Sequence, residues 1–318
     1  MIRRPPRSTQ SRSSAASDVY KRQAKAYSNR GNVLKDLNLL DEALESYDTA
    51  ITLKPDYANA YSNRADTFKE LNRIEQAIES YDIAIALNPD IDFILGESLI
   101  ASMSLCSWSG LADRIDEIKT KLNNNEKAST PFSLLAIIDD PELQRQSAEA
   151  YVNAKYPKNN VLPKIERQDK ILKIQIGYFS ADFRDHAVSH LTAELYELHD
   201  RERFEIHAFS FGLDTQDEFN LRIKEGVDYY HDVRLLSDKE VVLLSRSVKI
   251  DIAVDLGGFT KNSRTGIFAM QAAPIQVNYL GYSGTMAAEY MDYIIADDII
   301  IPEDKNCLLY TSPSPRDS

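Results

Sequence analysis

Three side chains that could bind a ligand or move a proton follow one predicted strand. The run KIQIGYFSADFRDHAVSH at residues 173–190 alternates apolar and polar side chains and then takes up an apolar pattern of helical period. This order predicts a strand, a loop and a helix. Ligands of open α/β sheets bind at the carboxyl ends of the strands, so Ser180, Asp182 and His186 are candidate site residues. The alternative is that they only cap the helix.

His186 is the residue of this run that is best suited to acid–base chemistry. A neutral imidazole accepts a hydroxyl proton near neutral pH, so His186 is a candidate general base. His186 and His190 have the i, i+4 spacing of metal ligands, but the HExxH glutamate and an obvious third ligand are lacking. We therefore expect no metal. The alternative for His186 is a structural role in the loop.

Two further loops that are rich in glycine and hydroxyl residues follow apolar runs, at residues 257–260 and 281–285. Glycines let a ligand approach the backbone and expose its N–H groups. Three such loops at the edge of one sheet favour a binding site.

The elements around these loops alternate in type. Strands are predicted at residues 171–179, 204–211, 229–233, 250–256, 275–280 and 293–295, and helices at residues 188–199, 219–225, 238–247 and 264–271. Strands alternating with helices predict a parallel sheet covered on both faces. No GxGxxG follows the first strand, which argues against an ordinary dinucleotide-binding domain.

A pair of repeats precedes the α/β region. Residues 24–57 and 58–91 align at an offset of 34 residues, with identities such as Tyr47/Tyr81. In each copy small and aromatic residues recur on one helical face, and a proline ends the second helix. The period and pattern resemble the tetratricopeptide repeat (TPR), and they predict an α-solenoid of helical repeats.

Asn29 and Asn63 occupy the same position in the two repeats, on the first helix and away from its packing face. A carboxamide offers a donor and an acceptor, so a ladder of asparagines could hold an extended peptide backbone without reading its sequence. The alternative is two ordinary exposed asparagines.

Residues 92–167 no longer follow the repeat period. Helical patterns at residues 93–105, 111–122 and 141–154, with a loop at residues 129–131, predict a helical linker that caps the repeats. We expect Cys106 and Trp108 to be packing residues of this linker.

The two ends of the chain, residues 1–23 and 307–318, show no such patterns. If residues 18–23 are encoded GAT GTG TAT AAG AGA CAG, the reverse complement of that DNA, read one base in, spells residues 307–311. Both ends also resemble translated transposase-adaptor sequence from shotgun libraries. We therefore expect non-native tails around a natural segment, residues 24–306, that is cut at both ends.

The charge and cysteine content narrow the function classes. Removing the first tail, whose net charge is +5, leaves −17 for the remainder against −12 for the whole chain. A nucleic-acid binder would show a dense basic run, and none is present. Only Cys106 lies outside the tails, so a disulfide framework is excluded and a reducing, cytoplasmic compartment is expected. No apolar run approaches the ~20 residues that span a membrane.

Three motifs carry a resemblance to a known family. FSADFRDHAVSH, DIAVDLGGFTKNSR and APIQVNYLGYSGTMAAEYMDYIIAD together resemble the catalytic region of the O-linked N-acetylglucosamine (O-GlcNAc) transferases, glycosyltransferase family 41, including the bacterial and SPINDLY-like members. The resemblance implies that residues 168–306 are the N-terminal, Rossmann-like half of a GT-B glycosyltransferase. It also implies inverting transfer of a sugar from a nucleotide diphosphate sugar, with UDP-GlcNAc expected, to Ser or Thr of a protein, without a metal or other cofactor.

The resemblance also assigns residues. It places His186 at the active site as the proposed base and Asn29 and Asn63 on the acceptor peptide. Together with Ser180 and Asp182, the substrate-binding residues would be Thr260, Leu280, Gly281, Gly284 and Thr285.

The chain departs from the family in three respects. Ser283 replaces the usual proline, and Asp251 stands where animal members have a histidine. The second α/β domain, which holds most of the nucleotide, does not follow, so we expect this polypeptide to be inactive. The alternative function is a TPR adaptor for protein–protein interaction with a degenerate α/β remnant. The enzyme is favoured because a remnant has no physical reason to keep His186 and the glycine loops.

Overall fold

A computed structural model describes residues 10–165 and 173–297, together with Ile299 and Ile301, with side chains from Tyr20 onward. The chain divides into two compact units, residues 1–121 and residues 122–318. Within the described residues no helix is long and apolar enough to cross a membrane.

The first unit is built from helical hairpins. Its helices are α1 (Gln10–Asp36), α2 (Leu40–Leu53), α3 (Ala58–Glu70), α4 (Ile74–Leu87), α5 (Ile94–Ser104) and α6 (Leu111–Asn123). The packing face predicted for the second helix of each repeat is confirmed, since Ala43, Tyr47 and Ala50 of α2 and the equivalent Ala77, Tyr81 and Ala84 of α4 are buried.

Helix α1 begins inside the segment that was predicted to be without pattern. It starts at Gln10, because residues 10–23 contain no glycine or proline and include alanines, arginines and glutamines that favour a helix. The remainder of that segment, residues 1–9, and the second predicted tail, residues 307–318, lie outside the described residues.

Each of the first two hairpins contains a hydrogen bond between its own two helices. In each, an arginine of the first helix donates to a buried serine that lies 16 residues later on the second helix. These bonds run from Arg30 Nη1 to Ser46 Oγ (2.8 Å) and from Arg64 Nε to Ser80 Oγ (3.3 Å).

Helices α5 and α6, called the third hairpin below, are joined by a bond of the same kind with donor and acceptor exchanged. Arg114 Nη2 on the second helix donates to Ser98 Oγ, again 16 residues away, at 2.9 Å. Ser98 lies 34 residues after Arg64, and Arg114 lies 34 residues after Ser80. A bond between residues 16 positions apart thus recurs beyond residue 91, where the second predicted repeat ends, although donor and acceptor have exchanged positions.

The turn between α5 and α6 corrects a second prediction. Cys106 is exposed, with a positive φ of 53°, and Trp108 is 55% exposed. Neither side chain is a packing residue of the linker, because both are exposed on the turn between α5 and α6.

The second unit is an α/β fold. Its elements are α7 (Pro131–Leu135), α8 (Pro141–Lys155), β1 (Ile174–Ser180), α9 (Ala187–Leu198), β2 (Phe204–Ser210), α10 (Glu218–Gly226), β3 (Tyr229–Asp232), α11 (Asp238–Ser247), β4 (Ile252–Asp255), α12 (Gly266–Ala269), β5 (Ile275–Tyr279) and β6 (Tyr293–Ile295). All six predicted strands are confirmed, and α7 begins at the last residue of the loop predicted at residues 129–131.

The strands form one parallel sheet in the order β3-β2-β1-β4-β5-β6. Side chains of α9 and α10 share a core with one face of the sheet. Side chains of α8, α11 and α12 share a core with the other face. The predicted linker is therefore divided, because α8 belongs to the α/β unit whereas α5 and most of α6 belong to the helical unit.

The order of the strands reverses between β1 and β4. From β1 the chain moves outward to β2 and β3, and then returns to the other side of β1 for β4, β5 and β6. Connections leave the sheet in opposite directions at such a switch point, and open a crevice at the carboxyl ends of the strands. The loops after β1 and β4 flank this crevice.

Candidate functional site

The loop after β1 is held by its own side chains. The Asp182 backbone N–H donates to Ser180 Oγ at 2.9 Å, and Arg184 Nη2 donates to Asp182 Oδ1 at 3.1 Å. Ser180 is only 1% exposed. In this arrangement Ser180 fixes the turn, and its contact with a substrate stays a prediction.

His186 is the N-cap residue of α9. The Val188 backbone N–H donates to His186 Nδ1 at 3.3 Å, and Asp182 Oδ2 lies 3.8 Å from the same nitrogen. No described residue hydrogen-bonds His186 Nε2, and the side chain is 39% exposed. The ring therefore combines both roles considered from the sequence, since Nδ1 caps the helix and Nε2 remains available to a ligand.

The loop after β4 is organised by a buried carboxyl group. Asp255 Oδ1 accepts hydrogen bonds from the backbone N–H groups of Gly257 (2.9 Å) and Gly258 (3.1 Å). Asp255 is 3% exposed, and burial raises the pKa of its carboxyl group to about 6, although the two N–H groups oppose this shift. The glycine turn thus rests on a carboxyl group whose pKa burial raises above its ordinary value.

Asp255 faces a second buried polar side chain on the neighbouring strand. In the β4–β5 register Asp255 lies opposite Asn278, so both side chains point to the same face of the sheet. Asp255 Oδ2 and both carboxamide atoms of Asn278 are buried and have no hydrogen-bond partner among the described residues. Buried polar groups are normally satisfied, so such a pair beside a ligand crevice is an exception that calls for a functional explanation.

The loop after β5 packs tightly on the loop after β4. A Cβ added to Gly281 would lie 1.8 Å from the Leu256 carbonyl oxygen, which leaves room for no residue except glycine. Gly258 has φ +56°, and a Cβ there would lie 2.4 Å from Tyr282 Cβ. The Tyr282 and Phe259 rings meet edge to face at 5.2 Å. The second and third predicted loops therefore form one packed layer at the sheet edge.

The remaining predicted substrate-binding residues lie in these two loops. Thr260 Oγ1 donates to the Gly257 carbonyl at 2.7 Å, and Thr285 Oγ1 accepts from the Ala287 N–H at 3.1 Å. Leu280 has φ +70°, and Gly284 lies against the Tyr282 side chain. The structure brings Thr260, Leu280, Gly281, Gly284 and Thr285 to the same edge as the loop of His186 through the β1–β4–β5 pairing.

His190 takes part in a separate pair. Its Nε2 lies 2.8 Å from Asp185 Oδ1 and its ring packs on Phe219. Among the described residues, no group of three or more His, Cys, Asp or Glu side chains has the arrangement of a metal site.

The two repeat asparagines differ in their surroundings. Asn29 is exposed. Asn63 Nδ2 donates to Asn32 Oδ1 at 2.9 Å, and the same oxygen accepts from Tyr47 Oη at 2.8 Å. Asn63 thus has its carbonyl oxygen left for a peptide N–H, whereas Asn29 offers both its NH2 group and its carbonyl oxygen.

Sequence reasoning missed Asp255 and Asn278. Each lies in an apolar run, where a single acidic or amide residue does not by itself indicate a site. One sequence signal could have identified Asp255, which stands two residues before the glycine pair 257–258. Asp side chains commonly accept hydrogen bonds from backbone N–H groups two residues on.

Comparison with known proteins identifies the family. The sequence pattern described as Glycosyl transferase family 41 matches residues 152–311, which is half of the chain and contains all three loops. The chain belongs to glycosyl transferase family 41. Two TPR patterns match ahead of the family 41 region, at residues 31–72 and 58–91, so the predicted repeats are confirmed.

Relatives of this family 41 chain carry the names of peptide-modifying enzymes. One is the probable UDP-N-acetylglucosamine–peptide N-acetylglucosaminyltransferase SEC of Arabidopsis thaliana, 30% identical over 214 residues, which covers 62% of this chain and 22% of that protein. Another is the probable enzyme of the same activity named SPINDLY in Oryza sativa subsp. japonica, 35% identical over 133 residues, which covers 41% of this chain and 14% of that protein. The chain therefore spans about a fifth or less of the length of these relatives.

A solved structure shares the fold. The structure of a Thermobaculum terrenum O-GlcNAc transferase mutant superimposes with a TM-score of 0.65 at 21% identity, over 91% of this chain and 56% of that chain. The predicted fold class is thereby confirmed: TPR helical repeats followed by a Rossmann-like α/β half of GT-B type.

Proposed function

We propose that the intact protein is a protein O-glycosyltransferase that uses a nucleotide diphosphate sugar, with UDP-GlcNAc as the donor. The observation that carries the proposal is that the family 41 match contains the three loops at the carboxyl edge of the sheet, two of which flank its switch point. The names of the relatives support this donor and a peptide acceptor. A donor screen with the intact protein tests the proposal, and transfer from no nucleotide sugar would overturn it.

The proposed reaction is an inverting displacement. The oxygen of an acceptor Ser or Thr forms a bond to the anomeric carbon of the sugar, and the bond from that carbon to the diphosphate breaks. Its electron pair leaves with the nucleoside diphosphate. The hydroxyl proton passes to the His186 imidazole, which acts as the general base. We further propose that no metal or other cofactor takes part, so that excess EDTA leaves the rate unchanged.

His186 is the residue whose loss should affect turnover most directly. In the intact protein, His186→Ala should lower kcat by about a hundredfold or more, as expected when a general base is lost. His190→Ala is the matched control, because this histidine is four residues away on the same helix and is paired with Asp185. Equal loss in both variants would contradict the assignment of the base.

The repeats are proposed to bind the acceptor peptide through Asn29 and Asn63. Their carboxamides can bond an extended backbone whatever its sequence. Asn29→Ala and Asn63→Ala should each weaken binding of an unstructured Ser/Thr peptide by roughly tenfold, the effect of about 1.4 kcal/mol. Glu79→Ala is the control, because Glu79 is exposed on the second helix of the repeat that contains Asn63. Unchanged affinity in both asparagine variants would remove them from the acceptor site.

The polypeptide of residues 1–318 is proposed to lack transferase activity by itself. It spans 56% of the superimposed T. terrenum chain, and the resemblance to GT-B enzymes implies that a second α/β domain supplies most of the nucleotide contacts. Sugar transfer by the purified 318-residue chain would contradict this.

The proposed location is cytoplasmic, with protein acceptors and no nucleic-acid or membrane partner. A TPR adaptor would instead bind peptides with full affinity and show no transfer even when intact.

A further inference from the structure

We propose that Asp182 is a positioning residue that decides which ring nitrogen of His186 carries the proton. This inference rests on the proposed function, because the position of the proton determines whether Nε2 can act as a base. It concerns one contact, the 3.8 Å approach of Asp182 Oδ2 to His186 Nδ1.

Two groups compete for His186 Nδ1. The Val188 backbone N–H lies 3.3 Å from this nitrogen and needs its lone pair as an acceptor. The Asp182 carboxylate, whose Oδ2 lies 3.8 Å from the same nitrogen, would need an N–H donor from it. A neutral imidazole carries one proton, so the ring can satisfy only one of these groups at a time.

Each choice fixes the chemistry of the other nitrogen. When Nδ1 accepts from Val188, the proton is on Nε2, which can then only donate a hydrogen bond. When Nδ1–H donates to Asp182, Nε2 has a free lone pair and can take the hydroxyl proton of an acceptor. The base-competent form of His186 is therefore the one that Asp182 holds, and in that form α9 gives up its side-chain cap.

The loop keeps Asp182 oriented for this task. Arg184 Nη2 holds the other carboxylate oxygen, Oδ1, at 3.1 Å, and the Asp182 backbone N–H is tied to Ser180 Oγ. The Asp182 side chain is only 14% exposed. Oδ2 is thus the carboxylate oxygen that remains for His186.

The proton position can be measured on the 318-residue chain without any sugar transfer. With 15N-labelled histidine at alkaline pH, two-bond 1H–15N correlations report the tautomer of each neutral ring, and His186→Gln assigns the signals. We expect a mixture of both tautomers for wild-type His186. In Asp182→Asn, Arg184 should select the carboxamide oxygen and leave the NH2 group facing Nδ1. The His186 Nδ1 shift should then move to that of an unprotonated nitrogen.

A second variant separates the loss of the carboxylate from the gain of an amide. Asp182→Ala removes the acceptor and adds no donor, and should shift the tautomer in the same direction. Asp185→Asn is the matched control, since Asp185 contacts His190 instead, and it should change the His190 signals alone. An unchanged His186 tautomer in both Asp182 variants would overturn the proposal. A shift in Asp182→Asn alone would also overturn it, because the new amide would then be the cause.

The kinetic consequence belongs to the intact protein. There, Asp182→Asn should lower kcat by about a hundredfold with little change in KM for the donor. If the tautomer shifts but neither Asp182→Asn nor His186→Ala changes turnover, the base assignment fails and the positioning role of Asp182 stands. If His186→Ala is inactive and the tautomer does not move, the proposed function stands and the role of Asp182 fails.

Discussion

Asp255 at the end of β4 lies directly opposite Asn278 at the end of β5, and between them three buried polar atoms have no hydrogen-bond partner in the described structure. The Asp255 oxygen that is satisfied supports the Gly257–Gly258 turn. One oxygen of Asp255 thus holds the turn, while its other oxygen and the Asn278 carboxamide stay without a hydrogen-bond partner in the described structure. Such a local instability is of the kind found at functional sites.

The Asp255 carboxyl group should make the α/β unit less stable as the pH rises. Its folded pKa of about 6 lies above the ordinary value of 3.8. The folded state therefore binds the proton more tightly, and this stabilisation is complete below pH 3.8 and is lost as the pH rises to about 6. The upper limit of the loss is about 3 kcal/mol.

Chemical denaturation of Asp255→Asn at several pH values tests this expectation. The variant keeps an acceptor for the glycine N–H groups but cannot ionise, so its free energy of unfolding should exceed that of the wild type at pH 7.5 and approach it at pH 4. The exposed Glu202→Gln is the control. A wild-type profile parallel to that of Asp255→Asn would show that the carboxyl group does not titrate in this range.

A histidine pair on the same sheet should give a pH dependence of the opposite sign. His207 Nε2 lies 2.7 Å from Gln175 Oε1, and His207 Nδ1 lies 2.9 Å from His231 Nε2. Burial lowers the pKa of His231 below its ordinary value of 6.5. The folded state resists protonation, so stability that is present above pH 6.5 is lost as the pH falls through the lower, folded pKa.

His231→Gln keeps a donor for His207 and removes the titrating ring. Its unfolding free energy should therefore fall less steeply between pH 6.5 and 5 than that of the wild type. His190→Gln, at a half-exposed site, serves as the control and should keep the wild-type slope. The same slope in all three proteins would exclude His231 as the source.

The contact between the second and third loops leaves no room at Gly281. Gly281→Ala places a methyl group against the Leu256 carbonyl, a backbone atom that cannot turn away. We expect a loss of roughly 3 kcal/mol in the free energy of unfolding. Gly226→Ala is the matched control, because the nearest atom to its added Cβ lies at 3.4 Å and the residue ends a helix. Equal stability of the two variants in urea would show that the loops separate easily.

The reversed bond of the third hairpin can be tested by exchanging its partners. Arg114→Ser should destabilise the helical unit by about 1–2 kcal/mol, since the fully buried Ser98 loses its donor. The double variant Ser98→Arg/Arg114→Ser recreates the arrangement of the first two hairpins and should recover at least half of that loss. Urea unfolding can be followed by the fluorescence of Trp108, the single tryptophan. A double variant less stable than Arg114→Ser would mean that the two arrangements are not equivalent.

The strands were predictable because local pattern and tertiary role agree. The apolar runs of β1, β2, β4 and β5 are largely buried, and the β6 prediction at residues 293–295 matches to the residue. Helix α10 and helix α11 differ from prediction by at most one residue at each end, since Asp217 and Ser237 cap them.

The buried pair Asp255–Asn278 and the positions of Cys106 and Trp108 could not be predicted in the same way. The former depends on strand register between β4 and β5, which no single segment encodes. The exposure of Cys106 and Trp108 depends on which side chains of the turn between α5 and α6 meet solvent, which the local sequence does not show. The division of the linker could not be predicted either, because the amphipathic pattern of α8 does not indicate which neighbouring element its apolar face packs against.

The exchange of Arg and Ser in the third hairpin has a consequence for finding repeats. A search that scores each position independently expects arginine at the place of Ser98 and serine at the place of Arg114, and penalises both. A search for covariation between positions 16 residues apart would see the same donor–acceptor pair in all three hairpins. Degenerate repeats that flank catalytic regions can therefore be recognised by a preserved pairing after their individual residues have changed.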